Sequence, residues 1–222
     1  MGFSLIRPQT FPNKGEKNAE ERETYKSNIK ELLSTPNAVV FYQDEVHFFA
    51  ESTITRGWYR TGSEPKVKSY AGHKSIAYSG FVSPKDGRLI TLKVEWFTYE
   101  TVIESLRNFI EIVKKELGLK KAQRIYLVMD NAPWHKKAKR LIQGDDKLEE
   151  YADIREVLTI VSLPAYSPDL NPIEQVWRIT RREKTHNRFW RTINLLTEVL
   201  DGWFASFRKP NAKLTSLCSF SM

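Results

Sequence analysis

Three acidic residues, far apart in the chain, have types and settings that could do chemistry: Asp44, Asp130 and Glu174. Asp44 and Asp130 each follow an apolar run, Ala38 to Tyr42 and Arg124 to Met129, rich in the beta-branched and aromatic residues of a buried strand. A carboxylate closing a buried strand is costly to desolvate unless it meets solvent or a cation. If the two strands are parallel neighbours, their acids meet at one end of a sheet. Carboxylates converging from separate elements suit hard divalent ions, which take oxygen ligands. Two such ions, roughly 3.5–4 Å apart, can activate an attacking oxygen and stabilise a leaving one in phosphodiester cleavage. For either Asp alone, an ordinary turn at a strand end is the better explanation; two such residues together with the motif around Glu174 turn the reading towards a shared site.

Glu174 lies in Ser167-Pro168-Asp169-Leu170-Asn171-Pro172-Ile173-Glu174. A helix start explains this stretch by itself: Asn171 as N-cap, Pro172 at the first helical position and Glu174 at the third. A carboxylate in a first helical turn also faces whatever lies at that end of the sheet, so both readings stand. Around the acids sit supporting candidates. Glu45 should point to the face opposite Asp44. Asn131 could steer Asp130, and His135 could approach a substrate phosphate or orient a ligand. Trp134, Trp177 and Trp190 lie amid basic residues, with core packing the expected role for Trp177.

Basic residues cluster just after two of the acids. Lys136, Lys137, Lys139 and Arg140 follow Asp130, and Arg178, Arg181, Arg182, Lys184, Arg188 and Arg191 follow Glu174. A solvated helix face accounts for either cluster; placement beside an acid favours phosphate contact, above all for Lys136, Lys137, Arg178, Arg181, Arg182 and Lys184. The formal charge of +8 on 222 residues also favours a polyanionic partner.

The elements that must position these residues can be read from periodicity. Residues 1–18 read as a polar arm and 19–34 as a helix. After the strand before Asp44, Ile76 to Val82 forms a second strand and Pro84-Lys85-Asp86-Gly87 a turn. Ile90, Leu92, Val94 and Trp96 then alternate with polar residues, predicting a third strand with one buried face. Helical spacing from Ile103 to Leu117 stops at Gly118. Beyond the strand before Asp130 come a helix over 134–143, a polar insertion at 144–153, a strand from Val157 to Leu163, the helix carrying Glu174, and a last helix over 193–207. Strands first, then alternation with helices, implies an α/β fold: a mixed five-stranded sheet, three antiparallel strands and then parallel additions, flanked by helices. The expected organisation is an arm and helix at 1–36, a catalytic domain at 37–210 and a C-terminal tail at 211–222.

Several classes are disfavoured. A single cysteine, Cys218, allows no disulfide framework within one chain and suits a reducing compartment. Four histidines without zinc spacing argue against a structural zinc site. No glycine-rich phosphate loop, nucleophile triad, signal peptide or membrane-spanning run is found.

Tyr42-Gln43-Asp44-Glu45, Met129-Asp130-Asn131-Ala132-Pro133-Trp134-His135 and Leu163-Pro164-Ala165-Tyr166-Ser167-Pro168-Asp169-Leu170-Asn171-Pro172-Ile173-Glu174, with Trp177 after it, resemble the three signature blocks of mariner-like and bacterial insertion-sequence DDE transposases. The resemblance spans roughly residues 38–208. It implies a ribonuclease-H-like fold, two Mg²⁺ or Mn²⁺ ions per site held by Asp44, Asp130 and Glu174, and cutting at transposon ends followed by strand transfer into target DNA. It also implies a homodimer in the DNA complex and a cytoplasmic, nucleoid-associated place in a prokaryote. Two departures stand out. The gap from Asp130 to Glu174 is longer than usual, with 144–153 as the insertion. The residues before the first strand are too few for the helix-turn-helix modules of such proteins, so that region is expected elsewhere or lost. Two other functions remain open at this stage: an inactive relic acting only as a DNA-binding or interaction module, and a ribonuclease-H-like nuclease.

Overall fold

The computed structural model of the chain describes residues 19–68, 74–119 and 123–219; the expected arm at 1–18 lies outside them. Five strands form one sheet in the order β3-β2-β1-β4-β5, with β1 at Val39–Phe49, β2 at Ser75–Val82, β3 at Leu89–Val94, β4 at Ile125–Met129 and β5 at Leu158–Ser162. β1, β2 and β3 pair antiparallel, and β4 and β5 add in parallel. The mixed sheet expected from the order of elements is thus the one formed.

Helices cover both faces. Alternation along each strand sends Phe41, Phe81, Ile90, Ile125, Leu127 and Met129 to one face, where α2 (Tyr99–Leu117), α3 (Pro133–Gln143) and α4 (Ala152–Arg155) pack. Val40, Tyr42, Val46, Phe48 and Val128 face the other way, against α1 (Ala19–Ser34), α5 (Ile173–Thr180), α6 (Ile193–Ala205) and α7 (Ala212–Cys218). α2 is delimited as its sequence suggests: Thr98 and Thr101 form a reciprocal capping box, and Gly118 ends the helix with φ 61°. No helix among the described residues is long and apolar enough to cross a membrane.

The structure departs from the periodicity in four places. β1 does not stop near Asp44 but runs on to Phe49, because past Tyr42 it keeps β2 as a partner after its parallel pairing with β4 ends. Trp96 lies beyond β3 and is exposed, since the alternation continues into a segment that has left the sheet. The 144–153 insertion is not a plain loop: a 3-10 turn at Glu149–Tyr151 leads into α4, which buries Ile154. Residues 211–218 are not a loose tail, because Asn211 caps α7 and Leu214 and Cys218 are buried in the core. Both outer strands are blunted. Gln143 bonds the N–H and C=O of Ile160 at 3.0 and 2.9 Å, and Phe207 C=O takes the Leu89 N–H at 2.8 Å.

Because α7 is part of the core, Leu214→Ala should cost about 2–5 kcal/mol in urea unfolding. A loss below about 0.5 kcal/mol would mean that the segment is dispensable, as surface positions are.

Candidate active site

The parallel pairing of β1 with β4 runs from Val39 opposite Ile125 to Tyr42 opposite Val128. Carried two residues further, that register sets Asp44 beside Asp130, and neighbouring strands lie only about 4.8 Å apart. The two acids share the face on which α5 packs. Glu174 enters from the first turn of α5, so the third carboxylate arrives from above the sheet edge. Asp44, Asp130 and Glu174 all line one cleft of about 390 Å³, with Asn131, Lys136, Tyr166 and Asn171 also in its wall.

Each of the two strand acids is anchored. Trp177, one turn after Glu174 and buried at 1% exposure, donates its indole N–H to Asp44 Oδ2 at 3.1 Å. The indole reaches that far because β2 places Gly80 opposite Asp44; a Cβ there would lie 2.3 Å from the indole Cη2. Asp130 Oδ1 accepts from the Ala132 N–H at 2.9 Å and pairs with His135 Nδ1 at 2.5 Å. His135 is buried, and its Nε2 pairs with Glu45 Oε1 at 2.7 Å. Glu45 Oε1 also accepts from Gln43 Nε2 at 2.9 Å. Glu45 therefore does face away from Asp44, yet it returns to the site through His135.

The start of α5 differs from the capping reading. Asn171 does not cap with its side chain; its amide donates to the Gln43 carbonyl at 3.3 Å, tying the helix start to β1 beside Asp44. The loop before it is held from α1: Arg22 donates to Ser167 Oγ at 2.6 Å and to Asp169 Oδ2 at 2.6 Å. Asp169 is thus paired with Arg22 and absent from the cleft wall. Asn131 does not steer Asp130; its amide donates to the Leu163 carbonyl at 2.6 Å.

The basic candidates divide. Lys136 lines the cleft, and Arg178 and Arg182 are exposed. The others already have ring partners: Lys137 Nζ sits 3.5 Å from the Tyr99 centroid, Arg181 Cζ 5.8 Å from Phe48 and Lys184 Nζ 4.5 Å from Trp203. The helix expected to run through them becomes a π-helical turn at Arg181–Thr185. Trp134 stacks on Phe97, and the Trp190 N–H bonds the Lys184 carbonyl.

Sequence reasoning missed Trp177 as a hydrogen-bond donor, along with Gln43, Gly80 and Arg22. Only Gly80 carried a signal, since an isolated glycine inside a strand marks a close approach of another group.

The sequence profile of the DDE superfamily endonucleases matches residues 39–197, a span that contains all three acids. The chain belongs to this family. In fold it resembles the solved catalytic domain of the Mos1 mariner transposase, with TM-score 0.60 and 15% identity over 96% of this chain and 94% of that one. It also resembles the pre-cleavage Mos1 transpososome, with TM-score 0.68 and 14% identity, covering 98% of this chain and 62% of that one. For the Mos1 paired-end complex with the left transposon end, TM-score is 0.64 and identity 14%, covering 97% and 60%. The ribonuclease-H-like fold is common to all of these. The chain spans about 60% of the length of the Mos1 chains in those DNA complexes. Curated proteins give no match.

The electrostatics of this DDE-family site favour a cation. Burial pushes the Asp44 carboxyl up to about 8, and the nearby Glu174, Glu45 and Asp130 carboxylates push it the same way. Burial also disfavours the charge on Asp130, but the hydrogen bonds from His135 and the Ala132 N–H outweigh it and leave that acid below its usual range. For His135, burial is outweighed by Asp130 and Glu45, which hold the imidazole charged up to about 9. The donor set is all oxygen, as Mg²⁺ or Mn²⁺ requires. Among the described residues no three acidic, histidine or cysteine side chains already close around a point. An ion that keeps several waters needs no closed cage.

Asp44 and His135 both bind protons more tightly folded than unfolded, so each stabilises the fold at low pH and loses that contribution as pH rises towards its folded value. The windows are about 3.8 to 8 for Asp44 and 6.5 to 9 for His135. In chelator, the melting temperature should therefore fall between about pH 6.5 and 8, and Asp44→Asn should flatten that slope. A wild-type melting temperature that rises across this window contradicts the assignment.

Proposed function

We propose that the chain is the catalytic domain of a DNA transposase that cuts at transposon ends and transfers the cut strand into target DNA, using two Mg²⁺ or Mn²⁺ ions. The observation that carries this reading is the convergence of Asp44, Asp130 and Glu174 on one cleft at the sheet edge where β4 ends. The structural neighbours support it: Mos1 complexes described as paired-end, pre-cleavage and strand-transfer, two of the paired-end forms with Mn or Mg.

Asp44, Asp130 and Glu174 would hold the cations, which would supply charge for the scissile phosphate and acidify an attacking hydroxyl group. The chain's own part is positioning. Trp177 and His135 keep the two strand acids in place, and Arg22 and Asn171 hold the loop and helix that present Glu174. In the first step water attacks phosphorus in line, the bond from phosphorus to the 3′-oxygen breaks, and a 3′-hydroxyl and a 5′-phosphate result. In the second, that 3′-hydroxyl attacks a phosphodiester of the target: a new bond forms from its oxygen to phosphorus, the target's own bond from phosphorus to the 3′-oxygen breaks, and a target 3′-hydroxyl is released.

Lys136 in the cleft wall and the exposed Arg178 and Arg182 would meet DNA phosphates, Arg182 by giving up its exposed 3.3 Å pairing with Glu183, whereas Arg181, Lys184 and Lys137 would first have to leave their aromatic partners. Bringing two ends together calls for a homodimer in the DNA complex, and a helix-turn-helix region, on another segment or chain, would read the terminal repeats. A cytoplasmic, nucleoid-associated setting fits such a substrate.

Wild-type protein should nick supercoiled DNA in Mn²⁺ and not in chelator, while Asp130→Asn stays at the no-enzyme background. Equal nicking by the two proteins would end the enzymatic reading. In DNA-binding titrations, Arg178→Ala and Arg182→Ala should each reduce the slope of log K against log salt by about 0.9. An unchanged slope would place the DNA elsewhere.

A further inference from the structure

We propose that Trp177 and His135 are positioning residues: each grips one oxygen of a strand acid through a buried ring nitrogen and so fixes the direction in which that carboxylate is presented. The inference rests on the cation-binding reading above and assigns it a supporting layer. Two acids on adjacent strands would otherwise turn apart, because like charges repel and both side chains can rotate.

The grips are built from opposite faces of the sheet. Trp177 comes from α5, and its indole is packed among Phe48 and Phe204 at centroid distances of 6.3 and 6.0 Å. Only the bare backbone of Gly80 lets the ring lie close enough to β2 for its N–H to reach Asp44 Oδ2 at 3.1 Å. His135 comes from the first turn of α3. Both of its ring nitrogens are taken, by Asp130 Oδ1 at 2.5 Å and Glu45 Oε1 at 2.7 Å. With the ring only 2% exposed, it has no room to swing, whereas the Asp130 side chain it holds is 47% exposed. The Ala132 N–H occupies the same Oδ1. That oxygen is therefore committed to the protein, and Oδ2 is the one available to a ligand in the cleft.

The same logic explains why Glu45 and Gln43 are polar although they point into the α2–α3 side of the sheet. Gln43 Nε2 bonds Glu45 Oε1 and Ser79 Oγ, so Glu45 is itself held before it holds His135. The chain of contacts from Ser79 to Asp130 is continuous and buried except at its last member, which opens on the cleft.

Partners that orient a metal ligand typically change metal affinity about 10–100-fold when removed. Calorimetric titration with Mn²⁺ of wild type, Trp177→Phe, His135→Gln and, as a ligand-loss control, Asp130→Asn tests the assignment, alongside melting curves in chelator and in Mn²⁺. Phe keeps an aromatic ring in the core but donates nothing. Gln is neutral and lacks the second ring nitrogen with which His135 bridges Asp130 and Glu45. Both variants should bind Mn²⁺ about 10–100-fold more weakly than wild type while melting cooperatively, and the stabilisation by Mn²⁺ should shrink in step. Should Trp177→Phe fail to fold, His135→Gln decides. Binding within twofold of wild type by a folded variant overturns the role of that residue while leaving the cation reading intact. If wild type itself takes up no Mn²⁺, the cation reading falls, and this inference with it.

Discussion

Like charge gathered in a partly buried place is the constraint around which this molecule is arranged. Asp44 shares its surroundings with Glu174, Glu45 and Asp130, and burial adds to their repulsion. Two unit charges about 5 Å apart repel by roughly 3 kcal/mol at the effective dielectric of a protein site. Such a cluster persists only if the rest of the fold holds its members in position. Among the described residues, Lys136 in the cleft wall and the His135 imidazolium offset it, and His135 is already shared between two carboxylates.

The fold provides that rigidity by setting the acids on elements fixed by other means. β1 and β4 are central strands with apolar side chains buried on both faces, so neither Asp can retreat by moving its backbone. α5 carries Glu174 at one end and the core tryptophan three residues on, which makes packing and presentation of the acid one event. α7 backs this helix, with the Cys218 thiol 3.8 Å from the Pro172 carbonyl. Arg22 binds the preceding loop from the far side of the sequence. Lys136 and Tyr166, in the wall of the cleft, are both exposed to solvent.

Much of this was legible in the residues. Apolar runs ending in acids located β1 and β4, and the Gly118 stop and the 3.6-residue spacing located α2. Two kinds of feature were hidden. Where a strand loses one partner and keeps another, as β1 does after Tyr42, hydrophobicity fades although the strand continues; Gln43 and Glu45 are polar because they are hydrogen-bonded inward. Side-chain direction was hidden as well. Asn171 has the composition of a helix cap, yet Gln43 offers its amide a better-placed carbonyl. Trp177 reads as core and is core, but its one polar atom faces Asp44, which no periodicity can show. The short α7 lacked enough turns to declare itself, and its burial depends on residues far away in sequence.

The central claim is that three carboxylates from β1, β4 and α5 share divalent cations. Its most direct test is anomalous diffraction from a crystal soaked in Mn²⁺. The account predicts anomalous density in the cleft, with oxygens of Asp44, Asp130 and Glu174 at bonding distance, about 2.0–2.3 Å. Manganese bound only elsewhere, or a well-ordered cleft containing water alone at saturating Mn²⁺, would contradict it.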